Sequence, residues 1–353
     1  MKIMKKIEVG ILGATGMVGQ RFVSLLEHHP WFEAKWLAAS ERSAGKPYAE
    51  ACNWRLRDPM PKAVREFSVH ECKPGSAPQL VFASLDSKVA GEVEKEFAAA
   101  GHVVVSNSSN HRMDPDVPLL IPDVNPEHLA LARTQKQQRG WKGMIVTNPN
   151  CTTVGLVMSL APFEKKFGLE KVLMTSMQAV SGAGYPGLPT LDILANVIPY
   201  IGGEEEKVER ETRKLLGKFA DAQVKPGDFT VSAHCNRVMV EDGHTESISI
   251  SLKTKATLED LLAAWRSYRS VPQERGLPSA PKHPIIVREE RDRPQVKFDL
   301  NAEHGMATVV GRLRPCPVLQ FKYTALCHNT IRGAAGAALL NAELMKSEGY
   351  LDY

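Results

Sequence analysis

The sequence predicts an α/β protein of two domains, a doubly wound parallel-sheet domain followed by an α+β domain. Three observations carry this expectation. The chain has 353 residues, and at roughly 150 residues per domain that length favours two. In the first half, short apolar runs alternate with helical stretches, the pattern of a parallel sheet covered on both faces. In the second half, strand pairs are mixed with charged helices, the pattern of an antiparallel or mixed sheet.

Composition narrows the function classes. A hydrophobic share of 43% and a charged share of 24% are ordinary for a globular protein and exclude disorder as the main state. The apolar runs are strand-sized, far short of the ~20 residues that span a bilayer, so no membrane partner is expected. The start, Met1-Lys2-Ile3-Met4-Lys5-Lys6, is basic but lacks the apolar core of a signal peptide. Export is therefore not expected, and a cytoplasmic protein is. A net charge of +4 from 44 basic and 40 acidic residues is small and dispersed, which argues against nucleic acid. Six cysteines, at 52, 72, 151, 235, 316 and 327, are too sparse for a disulfide scaffold. None forms a Cys-x-x-Cys pair, so no metal site is expected.

In chain order, residues 7–12 read as a buried strand, 13–19 as a turn and 20–27 as a helix. Residues 35–39, 80–83 and 103–105 read as further strands, with a helix over 88–100. The turn places Gly13, Gly16 and Gly19 at spacing 3 and 3 directly after a strand. Glycine permits the tight turn and close backbone approach to a pyrophosphate, and the helix N-terminus supplies N–H groups and positive potential. This is the fingerprint of a Rossmann-type dinucleotide domain. The second strand should end near the adenosine ribose. There Ser40, Arg42, Ser43 and Lys46 suit a 2′-phosphate and favour NADP, whereas Glu41 would suit NAD.

The second half reads as a strand over 171–180, a glycine-rich stretch from Ser181 to Gly187, and helices over 204–217 and 259–268. Strands are expected over 237–240, 244–252, 305–313 and 319–326, and a closing helix over 331–344. The proline-rich stretch 272–294 reads as an extended surface excursion. Cys151 follows the apolar Met144-Ile145-Val146 and the turn Thr147-Asn148-Pro149-Asn150, and precedes a helix. A thiolate there is stabilised by the helix N-terminus, whose N–H groups can also hold an oxyanion. Cys235 is the rival because His234 precedes it, but adjacent strand residues face opposite ways. A cysteine nucleophile beside a nicotinamide implies aldehyde–acyl chemistry through a thioester. Asp242-Gly243 signals a two-residue hairpin, with Met239 opposite Glu246 and Arg237 opposite Ile248. On that reading Arg237, a carboxylate-binding cation, and His244, an acid/base, project from one face.

Together these motifs resemble the aspartate-β-semialdehyde dehydrogenase family, in its archaeal and fungal branch. The branch is suggested by Ser106-Asn107-Ser108-Ser109-Asn110-His111-Arg112 and Pro118-Leu119-Leu120-Ile121-Pro122. The resemblance implies a fold like glyceraldehyde-3-phosphate dehydrogenase, with an NADP-binding domain over 1–150 completed by a C-terminal helix over 330–353. A catalytic and oligomerisation domain would occupy 151–329. It implies Cys151 as nucleophile, His244 as acid/base and Gln178 as substrate-orienting. Arg237 would bind the α-carboxylate, Glu204 the ammonium, and Lys207 and Arg112 the phosphate, with Asn150 lining the acyl site. Cofactor contacts are expected from Gly13, Thr15, Gly16, Met17, Val18, Ser40, Arg42, Ser43, Ser84, Ser181, Gly182 and Asn329. The family reaction is the NADPH-dependent, reversible reductive dephosphorylation of L-aspartyl-4-phosphate to the semialdehyde, on the route to lysine, methionine and threonine. A homodimer or homotetramer is implied. Malonyl-CoA reductase is similar over nearly the full length but needs no ammonium ligand. N-acetyl-γ-glutamyl-phosphate reductase shares the chemistry but sets its cysteine in Gly-Cys-Tyr, unlike Asn150-Cys151-Thr152. An NADP sensor without catalysis is opposed by the joint presence of Cys151, Gln178, Arg237 and His244.

Overall fold

The structure, a computed structural model, describes residues 5–352. The basic start over residues 1–4, and residue 353 at the end of the expected C-terminal segment, lie outside the described residues. The chain divides into two compact units. One takes the residues up to Leu120, Glu127–Asn148 and those from Ala334 onward, and the other takes Ile121–Pro126 and Pro149–Gly333. Among the described residues, no helix is long and apolar enough to cross a membrane.

The first unit is built on six strands: β1 (Ile7–Leu12), β2 (Phe32–Ala39), β3 (Val69–Glu71), β4 (Leu80–Ala83), β5 (Val103–Ser106) and β6 (Met144–Thr147). Their order is β3-β2-β1-β4-β5-β6, and every pairing is parallel. Helices α1 (Met17–Leu26), α3 (Ser87–Ala100) and α4 (Leu131–Arg139), with the single turn α2 (Tyr48–Ala51), connect them. Strands β4, β5 and β6 are buried at every residue. A sheet covered on both faces needs such unbroken apolar strands. Leu12, Val81, Phe97, Val104 and Ile145 share one core. The strand order reverses direction between β1 and β4. In doubly wound sheets that switch point is where a crevice opens at the carboxyl ends of the strands.

The second unit carries α5 (Cys151–Phe167), β7 (Leu169–Gln178), the single turn α6 (Thr190–Ile193), α7 (Glu204–Leu215), a small ribbon of β8 (Lys218–Ala220) and β9 (Gln223–Lys225), β10 (Thr230–Arg237), β11 (His244–Leu252) and α8 (Leu258–Arg266). After the single turn α9 (Val271–Glu274) come β12 (Ile285–Arg288), the single turn α10 (Val296–Asp299), β13 (Thr308–Pro315) and β14 (Phe321–Cys327). The six-stranded sheet runs β10-β7-β11-β14-β13-β12 and is mixed: β7 is parallel to β10 and antiparallel to β11. A five-residue π-turn, Ile331–Ala335, then leads into α11 (Gly336–Ser347). Helix α11 belongs to the first unit, where Asn341 donates to the Asn148 side chain.

Three expectations from the sequence fail here. The strand expected over 237–240 instead ends at Arg237, the last residue of β10. The Asp242-Gly243 turn does not close a hairpin between β10 and β11, because β7 lies between them. Gly243 does adopt the left-handed φ of +103° that the turn signal requires. A turn residue reverses the chain but does not choose the neighbouring strand, and here β7 pairs with both. The stretch 272–294 is also more than a surface excursion. It contributes β12, the edge strand paired with β13, and buries Leu277 and Ile285.

Burial alternates along the mixed sheet. On β7, Val172, Met174, Ser176 and Gln178 are buried while Leu173 and Thr175 are exposed. On β10, Val231, Ala233, Cys235 and Arg237 are buried, and on β11 His244, Glu246, Ile248 and Ile250. The period of 2 therefore assigns one face to the helices and the other to solvent. Helix α5 is buried at every residue from Thr152 to Phe163, as befits a helix apolar all round. It is anchored by the Trp265 indole, which donates to the Ser159 carbonyl, and by the 2.8 Å Ser159–Tyr323 hydroxyl pair.

Candidate active site

In the first unit, Gly13 closes β1 with a φ of +78°, and a Cβ there would lie 2.5 Å from the Ser84 carbonyl oxygen. At Gly19 a Cβ would meet the Gly13 carbonyl at 2.2 Å. Only glycine allows this packing of turn, helix and strand. Ser84, just beyond β4, donates its backbone N–H and its hydroxyl to the Leu12 carbonyl. Gly16 is the N-cap of α1, with no side-chain cap and no acidic residue in the first turn. The N–H groups of Met17 and Val18 thus start a helix whose own first turn carries no acid. That cradle fits a pyrophosphate. Ser40 and Arg42 are exposed in the turn after β2, and Glu41 lies within electrostatic range of Lys73.

Arg112 also lies in the first unit. It is buried and donates to the Asn107 carbonyl at 2.7 Å. Near it, the Glu94 carboxyl accepts from Ser106 at 2.6 Å. Burial pushes Glu94 up to about 7, against the pull of Ser106, His111 and Arg112.

In the second unit, Cys151 is the first residue of α5. Its sulfur lies 3.3 Å from Nε2 of His244. Nδ1 of His244 accepts the backbone N–H of Ala179 at 3.1 Å. A backbone N–H can only donate, so Nδ1 carries the lone pair, and in the neutral ring Nε2 carries the proton. Burial, with help from Arg237, lowers the His244 pKa to about 3, while the Gly243 carbonyl opposes that shift. The ring therefore stays neutral through the physiological range, with its proton facing the sulfur.

Ala179 aligns a second group as well. Its carbonyl accepts from Nη1 of Arg237 at 2.7 Å. Burial pulls the Arg237 pKa down, and the nearby Cys151 and Glu204 push it up. A Cβ on Gly182 would lie 2.7 Å from Nη1 of Arg237 and 3.4 Å from the His244 ring, so this glycine leaves room for both. Gln178 pairs with Arg237 across β7 and β10, and its amide donates to Ser176. Asn329 accepts the Gly243 N–H and donates to Ser181, which pins the turn that precedes His244.

Asn150 caps α5, accepting from the N–H groups of Thr152 and Thr153. Those two N–H groups are thereby occupied, against the expectation that they would hold an oxyanion. The Asn150 side chain donates to Glu204 at 2.8 Å, and Lys207 lies 3.8 Å from the same carboxylate. Gly333 closes the wall, since a Cβ there would sit 2.8 Å from that of Cys151.

Within the second unit the structure thus gathers Cys151, His244, Gln178, Arg237, Glu204, Lys207, Asn150, Ser181, Gly182 and Asn329. Within the first it gathers Gly13, Thr15, Gly16, Met17, Val18 and Ser84. Sequence reasoning missed Ala179, because its role lies in its backbone. It also missed Glu246, buried two residues after His244 on the same strand face, with neither oxygen hydrogen-bonded. Burial holds the Glu246 pKa well above the usual carboxylate range. The other cysteines differ from Cys151. Burial raises Cys52 and Cys72 and pushes Cys235 and Cys327 up to about 12. The turn N–H of Leu319 lowers Cys316.

Comparison with known proteins fits this geometry. The semialdehyde dehydrogenase NAD-binding domain model matches residues 8–132, and the semialdehyde dehydrogenase dimerisation domain model matches 160–332. The aspartate-semialdehyde dehydrogenase of Methanothermobacter thermautotrophicus is 50% identical over 343 residues, covering 96% of this chain and 99% of the relative. The chain belongs to the aspartate-semialdehyde dehydrogenase family. The Saccharomyces cerevisiae member of that family is 46% identical over 97% of this chain and 98% of its own. The crystal structure of the Candida albicans aspartate-semialdehyde dehydrogenase with NADP matches with a TM-score of 0.90 and 42% identity. It covers 98% of this chain and 100% of the other. The family resemblance drawn from the sequence and the two-domain α/β fold are both borne out.

Proposed function

We propose that the chain catalyses the reversible, NADPH-dependent reductive dephosphorylation of L-aspartyl-4-phosphate to L-aspartate-4-semialdehyde, through a thioester on Cys151. The observation that carries the chemistry is the 3.3 Å approach of the Cys151 sulfur to the protonated nitrogen of a neutral, buried His244. The cysteine thiolate attacks the acyl carbon, the C–O bond to phosphate breaks, and the acyl group stays on sulfur. NADPH, when bound, supplies the hydride. His244 donates an Nε2–H hydrogen bond to oxygen on the carbon joined to sulfur, which steadies the negative charge that hydride addition puts there until the C–S bond breaks, the aldehyde leaves and the thiolate returns. With Thr152 and Thr153 capped by Asn150, the Gln178 amide is our choice for stabilising that oxygen.

Arg237 takes the α-carboxylate, Glu204 the ammonium, and Lys207 and Arg112 the phosphate. Glu204 is an acceptor held in place beside a lysine, which suits an aminoacyl phosphate. A malonyl-CoA substrate carries no ammonium for that carboxylate to meet. Gly13, Thr15, Gly16, Met17, Val18 and Ser84 hold the cofactor through backbone and small groups. Ser40, Arg42 and Ser43 bind its 2′-phosphate, while Ser181, Gly182 and Asn329 serve the nicotinamide. The solvent-exposed face of the mixed sheet, where Leu173 is 44% exposed, is our candidate for pairing two copies, as a homodimer or within a homotetramer. No disulfide joins any of the six cysteines, which fits a reducing compartment such as the cytoplasm. The reading is tested by NADP+ reduction with aspartate semialdehyde and phosphate, beside NADPH oxidation with malonyl-CoA. Activity with the CoA ester alone would overturn it.

A further inference from the structure

Helix α7 carries five glutamates in its first eight residues, at positions 204, 205, 206, 209 and 211. Three acids in a first turn favour any helix through its dipole. That accounts for neither Glu209 nor Glu211, and the hydrogen bonds divide the set by face. Glu205 and Glu209, four residues apart, lie on one side. The carboxylate of Glu205 accepts the N–H of Cys235 at 2.9 Å, and that of Glu209 accepts the N–H of Ala233 at 3.1 Å. Four helical residues rise about 6 Å, and two strand residues advance about 6.6 Å. The pair can therefore hold alternate strand residues in a single register.

The strand they hold is β10, the edge of the sheet. The next outward N–H, that of Arg237, goes to the Ile198 carbonyl at 2.8 Å. The edge is thus satisfied at 233, 235 and 237, and Arg237 terminates it. On the other face of α7, Glu204 and Glu211, seven residues apart, both reach Asn150. Glu204 accepts from its side chain, and Glu211 accepts its backbone N–H at 2.6 Å. Asn150 in turn caps the helix that Cys151 begins.

We propose that α7 is a bracket that sets the spacing of the catalytic groups, with Glu205, Glu209 and Glu211 as positioning residues that touch no substrate. Glu205 and Glu209 fix Arg237 relative to Glu204 and Lys207, and Glu211 fixes the residue before the nucleophile. This rests on the substrate roles given above for Arg237 and Lys207.

The test uses the full-length enzyme, with kinetics in the NADP+-reducing direction. A second readout is the pH profile of Cys151 alkylation by iodoacetamide, followed by mass spectrometry of its peptide. E205A/E209A should raise the KM for aspartate semialdehyde and for phosphate about fivefold or more. It should leave the KM for NADP+ and the alkylation profile within twofold, and E205Q/E209Q, which keeps an acceptor, should restore the KM values. E211A, which removes the acceptor, should displace the alkylation profile and lower kcat with little change in KM, and E211Q, which keeps an acceptor, should restore both. Unchanged KM values in E205A/E209A, equal losses for NADP+ and substrate, or a wild-type alkylation profile in E211A would overturn the proposal. If the double alanine variant does not fold, E205A alone decides, and an unchanged phosphate KM overturns the strand role. An unaltered enzyme inactive with aspartate semialdehyde would instead fail the functional reading. The alkylation readout does not depend on it.

Discussion

The two sheets present function in different ways. The parallel sheet of the first unit is buried on both faces and offers a ligand mostly backbone: a glycine turn, an uncapped helix N-terminus and the end of β4. The mixed sheet of the second unit buries one face only and delivers side chains. Arg237, Gln178 and His244 stand at one end of β10, β7 and β11, on the face covered by helices. Backbone binding tolerates many side chains, so its sequence signal is glycine spacing. Side-chain chemistry depends on which strands lie side by side, so its signal is scattered along the chain. A binding surface and a reacting surface should therefore fail differently when altered.

The sharpest separation should come from Cys151→Ala. Loss of the nucleophile should cut NADP+ reduction by about 10³-fold or more, while NADP+ binding measured by calorimetry stays within twofold. A matching loss of cofactor affinity would break the contrast. Next is His244→Asn, with an expected fall in kcat of about 10²- to 10⁴-fold and an unchanged thermal midpoint. In the unaltered enzyme, the His244 pKa of about 3 predicts no inflection near pH 6.5 from this ring in kcat/KM. An inflection that disappears in His244→Asn would contradict the neutral tautomer.

On the binding side, Arg42→Ala removes one charged hydrogen bond, about 1.5–3 kcal/mol. It should weaken NADPH about tenfold or more and NADH hardly at all. Equal losses would remove the 2′-phosphate role.

The smallest effect expected is at Glu246. Its native pKa is raised, so the folded state holds a proton that the unfolded state has already released. Stability from this group is full below the ordinary carboxylate value and is lost as pH rises toward the native one. Glu246→Gln cannot release that proton. Its thermal midpoint should match wild type near pH 4.5 and exceed it increasingly toward pH 8. A gap independent of pH would mean that the carboxyl is ionised and paired.

Much of this was legible in the residues. The glycine spacing after β1, the apolar parallel strands and the cysteine that opens α5 are local signals, each confined to a turn or two of chain. The sequence alone therefore determined the nature of the first sheet, the family, and which thiol stands at a helix start. Local signals do not fix strand neighbours, and that is where reading the chain failed. Asp242-Gly243 marked a real turn but not the insertion of β7, because pairing is decided by contacts far apart in sequence. The expectation that Arg237 and His244 share a face survived for a different reason, since both flank Gln178. Only the tertiary structure decided the His244 tautomer, through the backbone of Ala179, and the division of the α7 glutamates between an edge strand and Asn150. Those decisions lie in hydrogen bonds to backbone groups, which every residue carries and no sequence pattern distinguishes.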